Sequence, residues 1–411
     1  MARWVRIGIW GCVLWLWLFP GVHIDRLARS RAVAVPVRSI DAIDLAPLMR
    51  VTERLRGLKF RQPVPVRPLT DATLRQLLNR QWEQYATQLQ AEAVILRLLG
   101  LLRSNEHLRQ LLDPLYQQQV AGVYDPLDKV MYVRTGTLAG WTAMIVVHEL
   151  AHALVDQHFD LRAYIYADDI RQDSERMMVR RAVAEGDATI VMLAYAMEQA
   201  GMAENGVDWL KDADPDAFAT IMTGLDLQTY LGAVDLPEWI VQLFLSPYVY
   251  GMRICLEAYR RNGWAGVNRL YRDPPETSAQ LMHLDRYFHH RPGRRLQVDV
   301  SETATVRYRG WIGELVWQVW LDHFLEEDVA QKAATGWDGD GAVLLESNTG
   351  QWTFIAITEW VREQDAQEFV QAAREALHRR DRLSGLIPIR WHLERTGRRV
   401  RIEIRRVRGE Q

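Results

Sequence analysis

The segment Val146-Val147-His148-Glu149-Leu150-Ala151-His152 constrains this chain more than any other. It sets two imidazoles four residues apart, with a carboxylate between them, inside an apolar run. At about 100° per residue on a helix, His148 and His152 lie about 40° apart on one face, so both rings can reach one ion and Glu149 stands beside it. Residues 143–147 are all apolar, and Leu150, Ala151, Ala153 and Leu154 continue the pattern, so the helix is expected to be buried. Satisfaction by backbone carbonyls accounts for a lone buried histidine, but not for two at i and i+4 with an adjacent acid. The H-E-x-x-H arrangement does: neutral imidazoles hold zinc, and the glutamate takes a proton from a water on the metal. The chemistry expected is hydrolysis, the class an enzyme, and the cofactor Zn2+.

A tetrahedral catalytic site takes three protein ligands and leaves one position open. Two residues compete for the third place. His158 stands at the spacing of a metzincin signature, but Val155 occupies the position where that signature has glycine. Glycine lets the chain turn sharply out of the helix there, whereas a β-branched valine resists positive φ. If the helix runs on, His158 lies about 280° around and about 15 Å along from His148, out of reach. Glu185 is the other candidate, within a largely buried helix expected from about 174 to 197. A buried carboxylate needs a partner, which is either a metal ion or Arg180 or Arg181. Gly186 is costly inside a helix but lets two helices approach closely.

With these residues in place, the chain resembles the gluzincin metallopeptidases, which carry H-E-x-x-H on one helix and a glutamate ligand on a later one. More narrowly, residues 147–161, followed by Ala184-Glu185-Gly186-Asp187-Ala188, are similar to a set of uncharacterised bacterial and archaeal membrane-associated metallopeptidase-like proteins. The similarity extends through Tyr124-Asp125-Pro126, Pro247-Tyr248, Pro274-Pro275-Glu276-Thr277 and Gly336-Trp337-Asp338-Gly339-Asp340. It implies His148, His152 and Glu185 as metal ligands, Glu149 as the group that activates water, and peptides as substrates. One departure stands out. Thermolysin-like gluzincins have an aspartate four residues after the ligand glutamate to orient a histidine, but here Thr189 holds that place. Asp187 is only two residues on and faces nearly the opposite way; Asp156, in line with His148 and His152, is another candidate for that role.

Before this helix, residues 119–124 and 129–133 flank Asp125-Pro126-Leu127-Asp128 and read as a β-hairpin, a plausible edge for an extended peptide. Hydrolysis also needs a donor for the developing oxyanion. His283 is the first candidate, with Tyr248 and Tyr287 behind it.

A basic start, Arg3 and Arg6, followed by an apolar run from Ile7 to Val22, reads as an export signal or membrane anchor, placing the body outside the cytoplasm. Only Cys12 and Cys255 occur, and one lies in the leader, so no intrachain disulfide is expected in the body. The 411 residues carry 48% hydrophobic and 25% charged side chains with a net charge of -2, ordinary globular usage that offers no case for nucleic acid as a partner.

Further along, residues 61–68 read as an extended connector, residues 71–115 as helices, 203–215 as a loop and 311–334 as a helical segment whose tryptophans belong to a core. Asp338-Gly339-Asp340-Gly341 reads as a plain turn rather than a calcium loop. After it come strands at 342–346 and 352–360, an amphipathic helix over 364–379 and a hairpin around Thr396-Gly397. The fold expected is α+β: a leader over 1–35, a linker and helices over 36–118, a predominantly helical zincin-like metallopeptidase domain over 119–335, and a small α+β domain over 336–411. The function expected is that of an exported, membrane-tethered zinc metallopeptidase. Two alternatives remain: a metzincin-like site with His158 as third ligand, and a non-catalytic surface or binding protein stabilised by zinc.

Overall fold

Apolar side chains at helical spacing run through most of the chain up to residue 290, and strand-like alternation takes over beyond it. The computed structural model follows that division. It describes residues 45–118, 122–134, 141–171, 173–214, 236–300 and 304–407; the leader expected over 1–35 lies outside the described residues.

Helix α1 (Ala46–Arg56) begins with proline in its first turn and stops at Gly57, whose φ of 67° closes the helix in the left-handed region. A connector leads to β1 (Val66–Pro68), then come α2 (Asp71–Gln84), α3 (Ala86–Leu99) and α4 (Leu108–Gln118). The hairpin follows as β2 (Gly122–Asp125) and β3 (Val130–Val133), and then α5 (Trp141–Phe159). Two short helices, α6 (Leu161–Tyr166) and α7 (Asp168–Arg171), precede the long α8 (Ser174–Gln199), which starts where the Asp173 side chain accepts the Arg176 N–H. Next are α9 (Gly206–Asp212), α10 (Glu238–Arg272), α11 (Ser278–Met282) and α12 (Leu284–Phe288). The C-terminal part holds β4 (Arg294–Arg295), β5 (Ala304–Gly310), α13 (Glu314–Asp322), α14 (Glu327–Ala334), β6 (Trp337–Ser347), β7 (Trp352–Trp360), α15 (Glu363–Asp381), β8 (Ile389–Thr396) and β9 (Arg399–Arg406). The molecule is thus mixed α+β, helix-dominated first and sheet-dominated last.

Helix α5 is apolar on nearly all sides because it is packed from two. Val146, Leu150 and Ala153 meet Tyr124, Met131 and Val133 of the hairpin, while Val147, Ala151 and Val155 share a core with Val183 and Ala184 of α8 and Ile254 and Cys255 of α10. The third face, carrying His148 and His152, is left for α8 to cover. Helices α8 and α10 cross so closely that a Cβ on Gly186 would lie 2.1 Å from the Gly251 carbonyl, so glycine is required there. Helix α10 is the one described helix long and apolar enough to cross a membrane, with half of its most apolar window buried inside the protein.

The first sheet has the order β1-β3-β2, with β1 parallel and β2 antiparallel to β3, so β2 is an end strand. The expected connector therefore contributes a strand. In the second sheet the order is β4-β6-β7-β9-β8, with β5 also pairing β6. Its core side brings Phe354, Ala356, Val400, Ile402 and Ile404 together with Phe369 and Leu377 of α15, Trp317 and Trp320 of α13, and Leu98 of α3.

Several boundaries differ from expectation. The sheet starts before residue 336, with β4 and β5, and its core reaches back to α3. The stretch 203–215 is not all loop: Asn205 accepts the Val207 N–H and starts α9. Residues 338–341 form no turn but lie within β6, where Gly339, with φ of 148°, sits against the Arg294 backbone of β4. The helical segment at 311–334 is two helices, and Trp317 and Trp320 are fully buried, as expected of a core.

Candidate metal centre

Helices α5 and α8 bring together three residues, the outermost of which, His148 and Glu185, lie 37 positions apart in the chain. His148 Nε2 stands 3.2 Å from Glu185 Oε2, His152 Nε2 is 3.4 Å from the same oxygen, and the two ring nitrogens are 3.1 Å apart. The rings meet nearly edge-on, with an 84° interplanar angle. Among the described residues this is the one group of three or more such side chains whose donor atoms converge. A tetrahedral zinc with bonds of about 2.0–2.1 Å separates its ligand atoms by about 3.3–3.4 Å, so the observed triangle fits one face of that polyhedron. The donor set, two imidazoles and a carboxylate, also suits zinc. The side chains are 12%, 12% and 19% exposed, sheltered but with a way in.

Charge reinforces the grouping. Burial disfavours a charged imidazole, yet Glu185 beside it lifts His152 to about 9. Burial would raise the Glu185 carboxyl, but His152 and His148 hold it well below the usual carboxylate range.

Glu149 is not part of the triangle. Its Oε2 accepts the Tyr124 main-chain N–H at 2.7 Å, which turns the carboxylate toward β2. Burial pushes its carboxyl up, partly countered by His152, His148 and the Tyr124 N–H. A carboxyl held by one main-chain donor and raised in pKa is chemically able to take up and give back a proton.

The other candidates are placed elsewhere. Helix α5 runs unbroken through Val155 to Phe159, so His158 leaves on another face and its Nε2 meets the Lys59 carbonyl at 2.8 Å. Asp156 makes its bonds to Tyr124, Lys129 and Leu161 rather than to either histidine. Asp187 accepts two bonds from Arg56, at 2.6 and 2.9 Å, and one from the Tyr271 hydroxyl. Neither aspartate orients a ligand, and His148 Nδ1 is buried without a partner among the described residues. Of the two arginines considered as partners for Glu185, Arg180 engages Glu276 instead. His283 is bonded to Glu314 Oε1 at 2.6 Å rather than to any residue of the triangle, so the structure does not bring the expected oxyanion donor to it. Tyr287 gives its hydroxyl to the Asp273 carbonyl, and Tyr248 sits on α10 beside Phe244.

A family model described as a domain of unknown function (DUF8575) matches residues 303–410. It spans the C-terminal quarter, from β5 through β9, and leaves the triangle outside. No curated protein and no solved structure matches the chain. The gluzincin resemblance therefore rests on the residues of α5 and α8 themselves. Sequence reasoning missed the Tyr124 N–H, although a hairpin directly before the helix was the available signal; Arg56, 131 residues from Asp187, offered none.

Proposed function

We propose that the chain is a zinc-dependent metallopeptidase of zincin type, with His148, His152 and Glu185 holding the metal. The observation that carries this reading is the triangle of donor atoms 3.1–3.4 Å apart with a separate carboxylate beside it. Zinc bound there would supply an acidified water and a Lewis acid for the scissile carbonyl. Glu149 takes the proton of the attacking water and returns it to the leaving amine. The Tyr124 N–H fixes which way that carboxylate faces. Among the described residues no strand pairs the outer edge of β2, and apart from the Tyr124 N–H, which Glu149 holds, that edge can take an extended peptide through main-chain hydrogen bonds, whatever its side chains.

A purely structural zinc site has no use for a half-buried carboxylate held next to the ligands but outside them, and Glu149 favours catalysis over the binding-protein alternative. The exported, membrane-tethered location belongs to this proposal and rests on the apolar segment from Ile7 to Val22. The test is cleavage of casein or a peptide library by the metal-loaded chain and by Glu149→Gln. The variant should keep the metal and lose at least about a thousandfold in kcat. Cleavage that survives in Glu149→Gln would sink the assignment of the base.

A further inference from the structure

Asp156 is 3% exposed and lies along the same helix face as His148 and His152, one turn beyond the second. A buried carboxylate there would be costly unless paired, and its partners define its role. Oδ2 accepts the Tyr124 hydroxyl at 2.6 Å. Oδ1 accepts Lys129 Nζ at 2.7 Å and the Leu161 main-chain N–H at 2.7 Å. Tyr124 lies on β2, and Lys129 closes the turn to β3 with a φ of 57°, so one carboxylate bolts both parts of the hairpin to α5. The Lys129 ammonium also reaches Asp160, where the chain leaves α5.

Tyr124 thereby bridges two carboxylates of one helix: its side chain is tied to Asp156, and its main-chain N–H is tied to Glu149. Resting on the hydrolytic reading above, we propose that Asp156, with the Tyr124 hydroxyl and Lys129, is a positioning device that holds β2 in register with α5. In that register the Tyr124 N–H sets the direction of Glu149, and the outer edge of β2 stands at a fixed height beside the metal ligands. The effect is on geometry, not on metal binding, because none of the three side chains hydrogen-bonds to His148, His152 or Glu185. Displacements of about 1 Å at a reacting group can lower turnover about a hundredfold, so a clamp two turns away has leverage.

The experiment uses the full metal-loaded chain and three variants. Tyr124→Phe removes a single oxygen and leaves Asp156 paired with Lys129 and Leu161, so the fold has every reason to survive. Lys129→Met removes the cation, and Lys129→Arg restores it. Zinc content, kcat and KM are measured together with amide hydrogen exchange at residue 124. All variants should retain zinc. Tyr124→Phe and Lys129→Met should lose about tenfold to a hundredfold in kcat with a smaller change in KM, and Lys129→Arg should recover to within about threefold of the parent. The amide of residue 124 should exchange about tenfold faster in Tyr124→Phe. An unchanged kcat with unchanged exchange overturns the clamp, and so does zinc loss in step with the loss of kcat. If the parent chain cleaves nothing, the hydrolytic reading fails, and the exchange measurement alone decides: faster exchange upholds the clamp and unchanged exchange overturns it.

Discussion

Asp340 on β6 and Glu185 on α8 are both acids inside the protein, and their surroundings differ in kind. Asp340 accepts from the Ile312 and Gly313 N–H groups and from the Trp317 and Trp337 indoles, at 2.9–3.2 Å. Burial pushes its carboxyl up to about 6, and those four donors limit the rise. Glu185 meets two imidazoles, which are themselves in contact. A carboxylate saturated by fixed donors is part of the architecture; one that faces two imidazole nitrogens across a shared gap is a candidate ion ligand. By sequence, Asp338-Gly339-Asp340-Gly341 is denser in acids than Ala184-Glu185-Gly186, though it reads as a turn. The donors within reach decide between them, not the density of acids.

The comparison can be broken most forcefully at the paired acid next to Glu185. Arg56 and Asp187 are both fully buried, so Arg56→Met strands a charge and should cost about 4 kcal/mol in urea unfolding. Metal content in the folded protein should hold, because Asp187 serves architecture as Asp340 does. Asp340→Ala, which orphans four donors, should cost about 3 kcal/mol and leave zinc content unchanged. Zinc loss in that variant, measured by elemental analysis, would erase the distinction between the two regions.

Gly186→Ala sharpens it from the other side. The new Cβ would meet the Gly251 backbone at 2.1 Å, so α8 must shift where it carries Glu185. About 2 kcal/mol of stability and about tenfold in zinc affinity should be lost together, read by thermal unfolding and metal competition.

The smallest effect concerns Glu175, at the junction of the two regions. Burial raises its carboxyl from 4.5 to about 8, against the pull of the Ser278 N–H and hydroxyl. Because the folded value lies above the unfolded one, its contribution is intact below about pH 4.5 and is lost as pH rises through about 8. Glu175→Gln should match the parent near pH 5 and exceed it by about 1 kcal/mol or more near pH 8.5 in denaturant titrations. Equal stability of the two proteins at both pH values would refute that account of Glu175.

What could be read from the chain divides along the same physical line. Local periodicity placed α5, α8, the hairpin and the strands β7 and β9, because each is written in residues a few positions apart. Chemistry concentrated in one turn, His148 to His152, named the candidate metal helix, and Glu185 stood out because a buried acid on an apolar helix needs a partner. Partners that depend on tertiary contact were not legible. Arg56 finds Asp187 and His283 finds Glu314 only because distant helices pack together, and β1 becomes a strand only because β3 offers it an edge. Asp340 was read within a turn rather than a strand for the same reason, since β6 is set there by its partners β4 and β7.

The most direct test of the central claim is the zinc stoichiometry of the metal-loaded chain beside Glu185→Ala and His158→Ala, by elemental analysis and native mass spectrometry. The geometry predicts one zinc per chain in the parent and in His158→Ala, and affinity lowered at least about a hundredfold in Glu185→Ala. A parent that binds no zinc, or zinc lost from His158→Ala and kept by Glu185→Ala, would contradict it.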